Sequence, residues 1–146
     1  ILDDLIGFIG DTEYREFVVP YFKQIYGSFE AKINFLHNDA AGLITAKHLA
    51  GMGVNMFNFS FEHSLSTIRD LAGPEVILLG NIPPRDVLAE GSPDDVKAAV
   101  NKAFGEIDNY DRIVWSVGGA VPQDVPGENI RTFIDEIKTR SDAMKF

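Results

Sequence analysis

Several short polar runs in this chain carry residue types that can do chemistry. His37-Asn38-Asp39 follows an apolar run at residues 33–36. His37 and Asp39 stand two apart, so on an extended segment both side chains point to one side. An imidazole and a carboxylate placed this way can supply two of the usual three protein ligands of a catalytic zinc ion, which acts as a Lewis acid or activates a nucleophile. The same pair can work without metal, with Asp39 orienting His37 as a general base. The plainer alternative is a strand-end histidine hydrogen-bonded to a neighbouring carboxylate. No third ligand stands at a diagnostic spacing, and Asp4, Glu62 and His63 are the candidates.

Other runs invite a similar choice. Asp3-Asp4 follows Ile1-Leu2. Adjacent strand residues face opposite ways, so one of the two acids faces a site, or the pair caps the next helix. Gly118-Gly119 follows the apolar run 113–117 and either lets a ligand approach the backbone or makes a tight turn needing positive φ. Gly80-Asn81 ends the run 76–79, where the Asn81 amide can pin loops or touch a ligand. Ser60 ends the run 56–59. Arg85 can bind a carboxylate or phosphate, or pair with Asp86 or solvent. Phe57, Phe59 and Phe61 alternate along one strand and are expected in the core, with Phe61 within reach of a planar ligand. His48 and His63 read as ordinary helix or loop residues.

These runs must be positioned by regular elements. Apolar periodicity predicts a helix over residues 13–26, with Tyr14, Phe17, Val18, Tyr21, Phe22 and Ile25 in one stripe. Asp11 or Thr12 can cap it, Gly27 can end it, and Pro20 should kink or break it. Strands are expected at 32–36, 54–59, 75–79 and 112–117. Helices are expected at 41–52, stopped by Gly53, and at 65–72, stopped by Gly73-Pro74. Ser92-Pro93-Asp94-Asp95 opens a helix to about Phe104, since Ser caps, Pro fits the first position and acids meet the dipole. A last helix spans 128–139 with Ile130, Phe133, Ile134 and Ile137 on one face, and the tail after Arg140 is expected to fray. Strand and helix alternate, and Ile1-Leu2 reads as the end of a further strand, so the class is α/β with parallel strands. Half of a (β/α)8 barrel and a small doubly wound sheet both satisfy the periodicity. No G-x-G-x-x-G follows a strand, so the dinucleotide-binding fingerprint is absent.

Composition narrows the function classes. The formal net charge is −9 and the 13 Lys and Arg residues are scattered, which argues against a nucleic-acid partner. No run of ~18 apolar residues predicts a membrane span. The absence of cysteine removes disulfides, thiolate ligands and cysteine nucleophiles, and fits a cytoplasmic setting. The length of 146 residues suits one domain. The start on Ile1-Leu2, with no initiating Met and no basic-then-apolar leader, is read as that of a fragment.

Particular runs add a family resemblance. Asp3-Asp4-Leu5-Ile6-Gly7, then Tyr14-Arg15-Glu16-Phe17-Val18-Val19-Pro20-Tyr21, is similar to the segment after a middle strand of uroporphyrinogen decarboxylases. Gly80-Asn81-Ile82-Pro83-Pro84 resembles that family's Gly-Asn-hydrophobic-Asp-Pro turn. Leu88-Ala89-Glu90-Gly91-Ser92-Pro93-Asp94-Asp95-Val96 resembles its helix-cap pattern. Val117-Gly118-Gly119-Ala120-Val121 and Pro126-Gly127-Glu128-Asn129-Ile130 resemble its final strand and final helix start. The resemblance implies the C-terminal half of a (β/α)8 TIM barrel, strands five to eight, with strand four ending at Ile1-Leu2. It implies a missing N-terminal half that carries the family's arginines, its key aspartate and its substrate-contacting tyrosine.

That superfamily holds cofactor-free decarboxylases of uroporphyrinogen and methyltransferases that use a corrinoid or a thiol, often with zinc. The chain departs from both patterns. Asp4 stands where decarboxylases carry Ser, and Gly119 where they carry His. The methyltransferases' His-x-Cys reads His37-Asn38-Asp39, and their later Cys is again Gly119. Pro83 replaces the turn's Asp. The retained His37 directs the reading to methyl transfer with a corrinoid protein as partner and zinc as a cofactor. There His37 and Asp39 hold the metal or position substrate, Asp4 is a further polar site residue, and Asn81, Ser60, Gly118 and Gly119 contact substrate. The alternatives are a divergent decarboxylase with no cofactor and a non-catalytic binding or assembly module. A homo-oligomer is also expected.

Overall fold

The computed structural model describes residues 1–143. Four parallel strands, β1 (Phe35–Asn38), β2 (Met56–Phe59), β3 (Ile77–Ile82) and β4 (Ile113–Val117), lie in the order β1-β2-β3-β4. This order separates the two architectures. A doubly wound sheet reverses its strand order at a switch point, whereas sequential right-handed crossovers put every helix on one face, as in a barrel wall. Residues 1–3 run beside β1 through a parallel Leu2–His37 bridge, with His37 N–H donating to the Ile1 carbonyl at 2.9 Å and Asp3 N–H to the His37 carbonyl at 3.1 Å. The expected strand end at Ile1-Leu2 is therefore present, and the wall has the form of part of a (β/α)8 barrel.

Two strands run further toward their C-terminal ends than apolar runs alone suggest. β1 takes in His37 and Asn38, and β3 takes in Gly80, Asn81 and Ile82. The parallel ladder continues through Asn38↔Phe59 and Ile82↔Val117, so polar residues remain strand residues once side-chain partners satisfy them. β2 stops at Phe59, which leaves Phe61 beyond the strand and 40% exposed, while Phe57 and Phe59 are buried and stacked with centroids 5.9 Å apart.

The helices are α1 (Asp11–Phe17), α2 (Val19–Gly27), α3 (Ile44–Met52), α4 (Leu65–Ala72), α5 (Pro93–Phe104) and α6 (Gly127–Ala143). The break at Val18 falls just before Pro20, as its ring requires. The single stripe expected there is divided. Tyr14, Val18, Phe22 and Tyr26 are buried, whereas Phe17, Tyr21 and Ile25 face outward. Gly10, not Asp11 or Thr12, occupies the cap position of α1. α3 starts at Ile44 and stops at Gly53 in the left-handed conformation (φ 80°). Ser92 and Asp95 form a reciprocal capping box on α5. α6 continues through residues 141–143, past the expected fraying point at Arg140; residues 144–146 lie outside the described residues. On α6, Phe133 and Ile137 pack on the core, while Ile130 and Ile134 are exposed. No described helix is long and apolar enough to cross a membrane.

Polar side chains fasten the layers. Arg69 on α4 donates to the carbonyls of Gly73, Val76, Asp111 and Arg112, joining the α4–β3 turn to the start of β4. A π-helical turn, Pro84–Ala89, follows β3, where the sequence pattern shows only a loop. Buried Asn129 at the start of α6 donates to the Leu88 carbonyl at 3.0 Å and the Gly91 carbonyl at 2.8 Å, fixing that turn. Asn129→Ala strands both carbonyls, and a loss of about 2–3 kcal/mol in chemical denaturation is expected.

His48 is not an ordinary helix residue. It is buried on α3, stacks on Tyr14, and bonds the Asp11 carboxylate at 2.8 Å. Hydrogen bonds from Arg15 and then His48 hold the Asp11 carboxyl below its usual range. A depressed carboxyl contributes stability above its unfolded pKa, about 3.8, and loses it as pH falls through the lower folded value. Asp11→Asn should therefore lower the melting temperature at pH 6–7, with the gap to wild type closing below about pH 4.

Candidate functional site

The site forms where the strands end. His37, the third residue of β1, is directly in register with Asn58 of β2. The His37 Nδ1 lies 2.6 Å from Asn58 Oδ1. The Asn58 amide nitrogen donates to the Leu79 carbonyl at 2.6 Å and the Val117 carbonyl at 3.0 Å. Two carbonyl partners identify which end of the carboxamide is nitrogen, so its oxygen can only accept. His37 Nδ1 must then carry the proton, and in the neutral ring Nε2 presents its lone pair. That nitrogen is 3.9 Å from Asp39 Oδ2.

Asp4 joins this pair. Its carboxylate accepts from the Asp39 backbone N–H at 3.0 Å, and one ligand atom each from Asp4, His37 and Asp39 lie within 4.8 Å of one another. Asp3 turns away and caps the short turn Leu5–Phe8, accepting from the N–H groups of Leu5 and Ile6. The two adjacent acids thus divide between site and cap. Partial burial, and then the facing Asp4 carboxylate, push the Asp39 carboxyl above its usual range, while His37 acts in the opposite sense. The other third-ligand candidates stand outside the cluster. His63 Nε2 pairs with the Ala41 carbonyl at 2.8 Å, and Glu62 follows Ser60 in a turn.

The remaining predicted residues frame this centre. Buried Asn81 donates to the His63 carbonyl, pinning the loop after β2. Buried Ser60 accepts from Glu62 N–H at 3.3 Å in that loop. Gly118 has no room for a side chain, because a Cβ would lie 2.5 Å from the Phe61 backbone nitrogen. Gly119 adopts φ +143°, and a Cβ there would lie 3.0 Å from Asp39 Oδ2. Positive φ and close approach to the carboxylate both call for glycine at 119. Arg85 lines a cavity beside Gly119 and Asp39 and is exposed, so of the two plain alternatives, Asp86 or solvent, it faces solvent.

These donors fit a divalent cation. Ligand atoms around a tetrahedral zinc with bonds near 2 Å lie roughly 3.3 Å apart, so the cluster need close only slightly. Asp4 and Asp39 repel one another until a positive charge lies between them. One nitrogen and two carboxylates, with no thiolate, suit zinc or a harder first-row ion. Asn58 was not singled out from sequence. Its signal was a lone amide inside the aromatic run Met56-Phe57-Asn58-Phe59, where a buried polar group must find partners.

The model of the family described as uroporphyrinogen decarboxylase (URO-D) matches residues 1–140. The uroporphyrinogen decarboxylase of Paraburkholderia phytofirmans is 24% identical over 99% of this chain and 40% of its own length. That of Paraburkholderia xenovorans is 26% identical over 99% of this chain and 40% of its own length. Among solved structures, a methyltransferase from Methanosarcina mazei superposes with a TM-score of 0.83 at 17% identity, over 97% of this chain and 41% of that one, a likeness of fold. The chain thus spans about 40% of the length of the curated relatives it matches.

Removing the Asn58 amide tests the tautomer assignment. Nitrogen NMR recorded at a pH where the His37 ring is neutral should show the proton on Nδ1 in the wild type, and that tautomer preference should be lost in Asn58→Ala. The same variant leaves two buried carbonyls without a donor and should be less stable by about 2–4 kcal/mol.

Proposed function

The chain belongs to the uroporphyrinogen decarboxylase family, and within it we propose that His37, Asp39 and Asp4 form a metal-assisted methyl-transfer centre. In this reading the chain supplies the C-terminal half of a complete barrel, and a corrinoid protein is the methyl-exchanging partner. The carrying observation is the orientation of His37, whose Nε2 is freed by Asn58 and turned toward two carboxylates at the strand ends. Active sites of such barrels occupy this face.

Each residue has a task in that reading. His37 offers a neutral nitrogen donor, and Asn58 holds its ring. Asp39 offers an oxygen donor whose charge is costly until it is neutralised. Asp4 fixes the Asp39 backbone and adds the third donor. Zinc held there would supply Lewis acidity and lower the pKa of a thiol that accepts or gives the methyl group. Gly119 leaves the approach to Asp39 clear.

A divergent decarboxylase is the second reading, favoured by the function printed for the curated relatives above. In it the raised Asp39 carboxyl serves as a proton donor where the carboxyl group leaves, and no metal is needed.

The two readings separate in the full-length gene product. Wild-type protein dialysed against zinc should retain metal by elemental analysis and demethylate methylcobalamin in the presence of a thiol, followed by corrinoid absorbance. His37→Ala should lose both, with the melting temperature within a few degrees of wild type. Release of carbon dioxide from uroporphyrinogen by metal-free wild type, with no demethylation, would overturn methyl transfer in favour of decarboxylation.

A further inference from the structure

His63 reads from sequence as an ordinary loop residue, and it stands outside the cluster of Asp4, His37 and Asp39. Its contacts give it a different task. It lies in the loop between β2 and α4, partly buried. Its Nε2 donates to the Ala41 carbonyl at 2.8 Å, in the loop between β1 and α3. A carbonyl only accepts, so Nε2 carries the proton. Among the described residues this is the one side-chain hydrogen bond between those two loops, and no backbone N–H meets the Ala41 carbonyl. The backbone of His63 is held in turn. Its carbonyl accepts from the buried Asn81 amide of β3, and its N–H donates to the Ser60 carbonyl at 3.3 Å. One residue thus ties the strand-end loops of β1 and β2 to β3.

The tied loop is the one that carries Asp39. Asp39 stands two residues before Ala41, and its N–H is bonded to the Asp4 carboxylate at 3.0 Å. The same loop also meets the turn Leu5–Phe8 at backbone distance. A Cβ at Gly42 would overlap the Gly7 carbonyl oxygen, and one at Gly7 would overlap the Ala40 Cβ. Asp4 and Gly7 therefore brace the loop from the N-terminal segment, and His63 braces it from β2. The Asp4 and Asp39 carboxylates repel each other, so a loop braced only by the segment that carries Asp4 would be free to carry Asp39 away.

We propose that His63 is a positioning residue for the strand-end cluster, and that its hold on the Ala41 carbonyl keeps Asp39 in place beside Asp4 and His37. The inference rests on the reading above for what the cluster does, whereas the hold itself needs no metal. His63 touches neither substrate nor metal in this role. A group that acts through one neighbour has two signatures. Its loss is repaired by another side chain that presents an N–H at the same place, and its loss has no effect once the neighbour is gone. Gln meets the first requirement, because its amide nitrogen stands about where the imidazole Nε2 stands.

The test uses the full-length gene product labelled with nitrogen-15 aspartate, and its first readout is metal-free. The Asp39 amide signal, identified by its absence in Asp39→Asn, should exchange with solvent roughly three- to tenfold faster in His63→Ala than in wild type. It should return to the wild-type rate in His63→Gln. Zinc affinity, measured by competition with a chelator, should fall by a similar factor in His63→Ala and recover in His63→Gln. It should be the same in Asp39→Asn as in Asp39→Asn combined with His63→Ala. The bond is solvent-accessible, so both single His63 variants should melt within a few degrees of wild type. Unchanged exchange in His63→Ala would overturn the assignment, as would failure of Gln to restore it. An equal loss of zinc affinity with and without the Asp39 carboxylate would overturn action through Asp39. Wild type that binds no zinc would overturn the metal reading, and the exchange rates would still decide this one.

Discussion

Everything at the strand ends depends on one carboxamide. Asn58 sits on β2, yet its side chain bonds His37 on β1, the Leu79 carbonyl on β3 and the Val117 carbonyl on β4. In a flat sheet β2 and β4 would stand two strand spacings apart, roughly 9.6 Å, beyond the reach of a short side chain. The bond to Val117 therefore requires the sheet to curl toward the face that Asn58 occupies. That curl is the wall of a barrel, and its concave side is the side of His37. The interaction that fixes the histidine tautomer thus also belongs to the curvature of the sheet.

Satisfying buried polar groups explains why the site lies within the strands and not only beyond them. His37, Asn58 and Asn81 are interior-end strand residues, and each has a specific partner. Parallel strands buried on both faces are normally apolar throughout. Here polar residues enter the C-terminal halves of β1, β2 and β3, while Phe59, Ile82 and Val117 keep the strand ends of β2, β3 and β4 in the apolar core. The change coincides with the cluster of Asp4, His37 and Asp39. Asp3 and Asp4 follow the same logic at the edge of the wall, where neighbouring carboxylates serve opposite ends of the local geometry.

Much of this was legible in the sequence, and the gaps have physical causes. Alternation of apolar runs and helical stripes gave the element order, and Ser92 with Pro93 marked the start of α5 to the residue. His37 and Asp39 could be paired from their spacing alone. The strand ends at Asn38 and Ile82 were hidden because hydrophobic patterning does not see a polar residue satisfied by a neighbour 21 positions away, as His37 is by Asn58. The burial of His48 was hidden for the same reason, since its partner Asp11 belongs to another helix. The stripe on α1 and α2 misled because periodicity reports how apolar a face is, not what covers it. Phe17, Tyr21 and Ile25 belong to the same apolar stripe as their buried neighbours but are about half exposed, at 59%, 58% and 45%.

Those uncovered residues bear on how the site would work. Leu5, Phe8, Phe17 and Tyr21 are each more than half exposed near the N-terminal side of the wall, while Val114, Val121, Ile130 and Ile134 are exposed toward β4. Exposed apolar surface at both ends of a curved parallel sheet is what further barrel strands and helices would bury. The family relatives are about two and a half times as long as this chain, which allows for such elements. The cluster and the Arg85 cavity lie on the concave face between those two ends. Closing the barrel would exclude water from both. Less water would strengthen the repulsion between Asp4 and Asp39, which a shared proton or a cation would relieve. Barrel closure would therefore sharpen the electrostatics of the strand-end cluster of Asp4, His37 and Asp39.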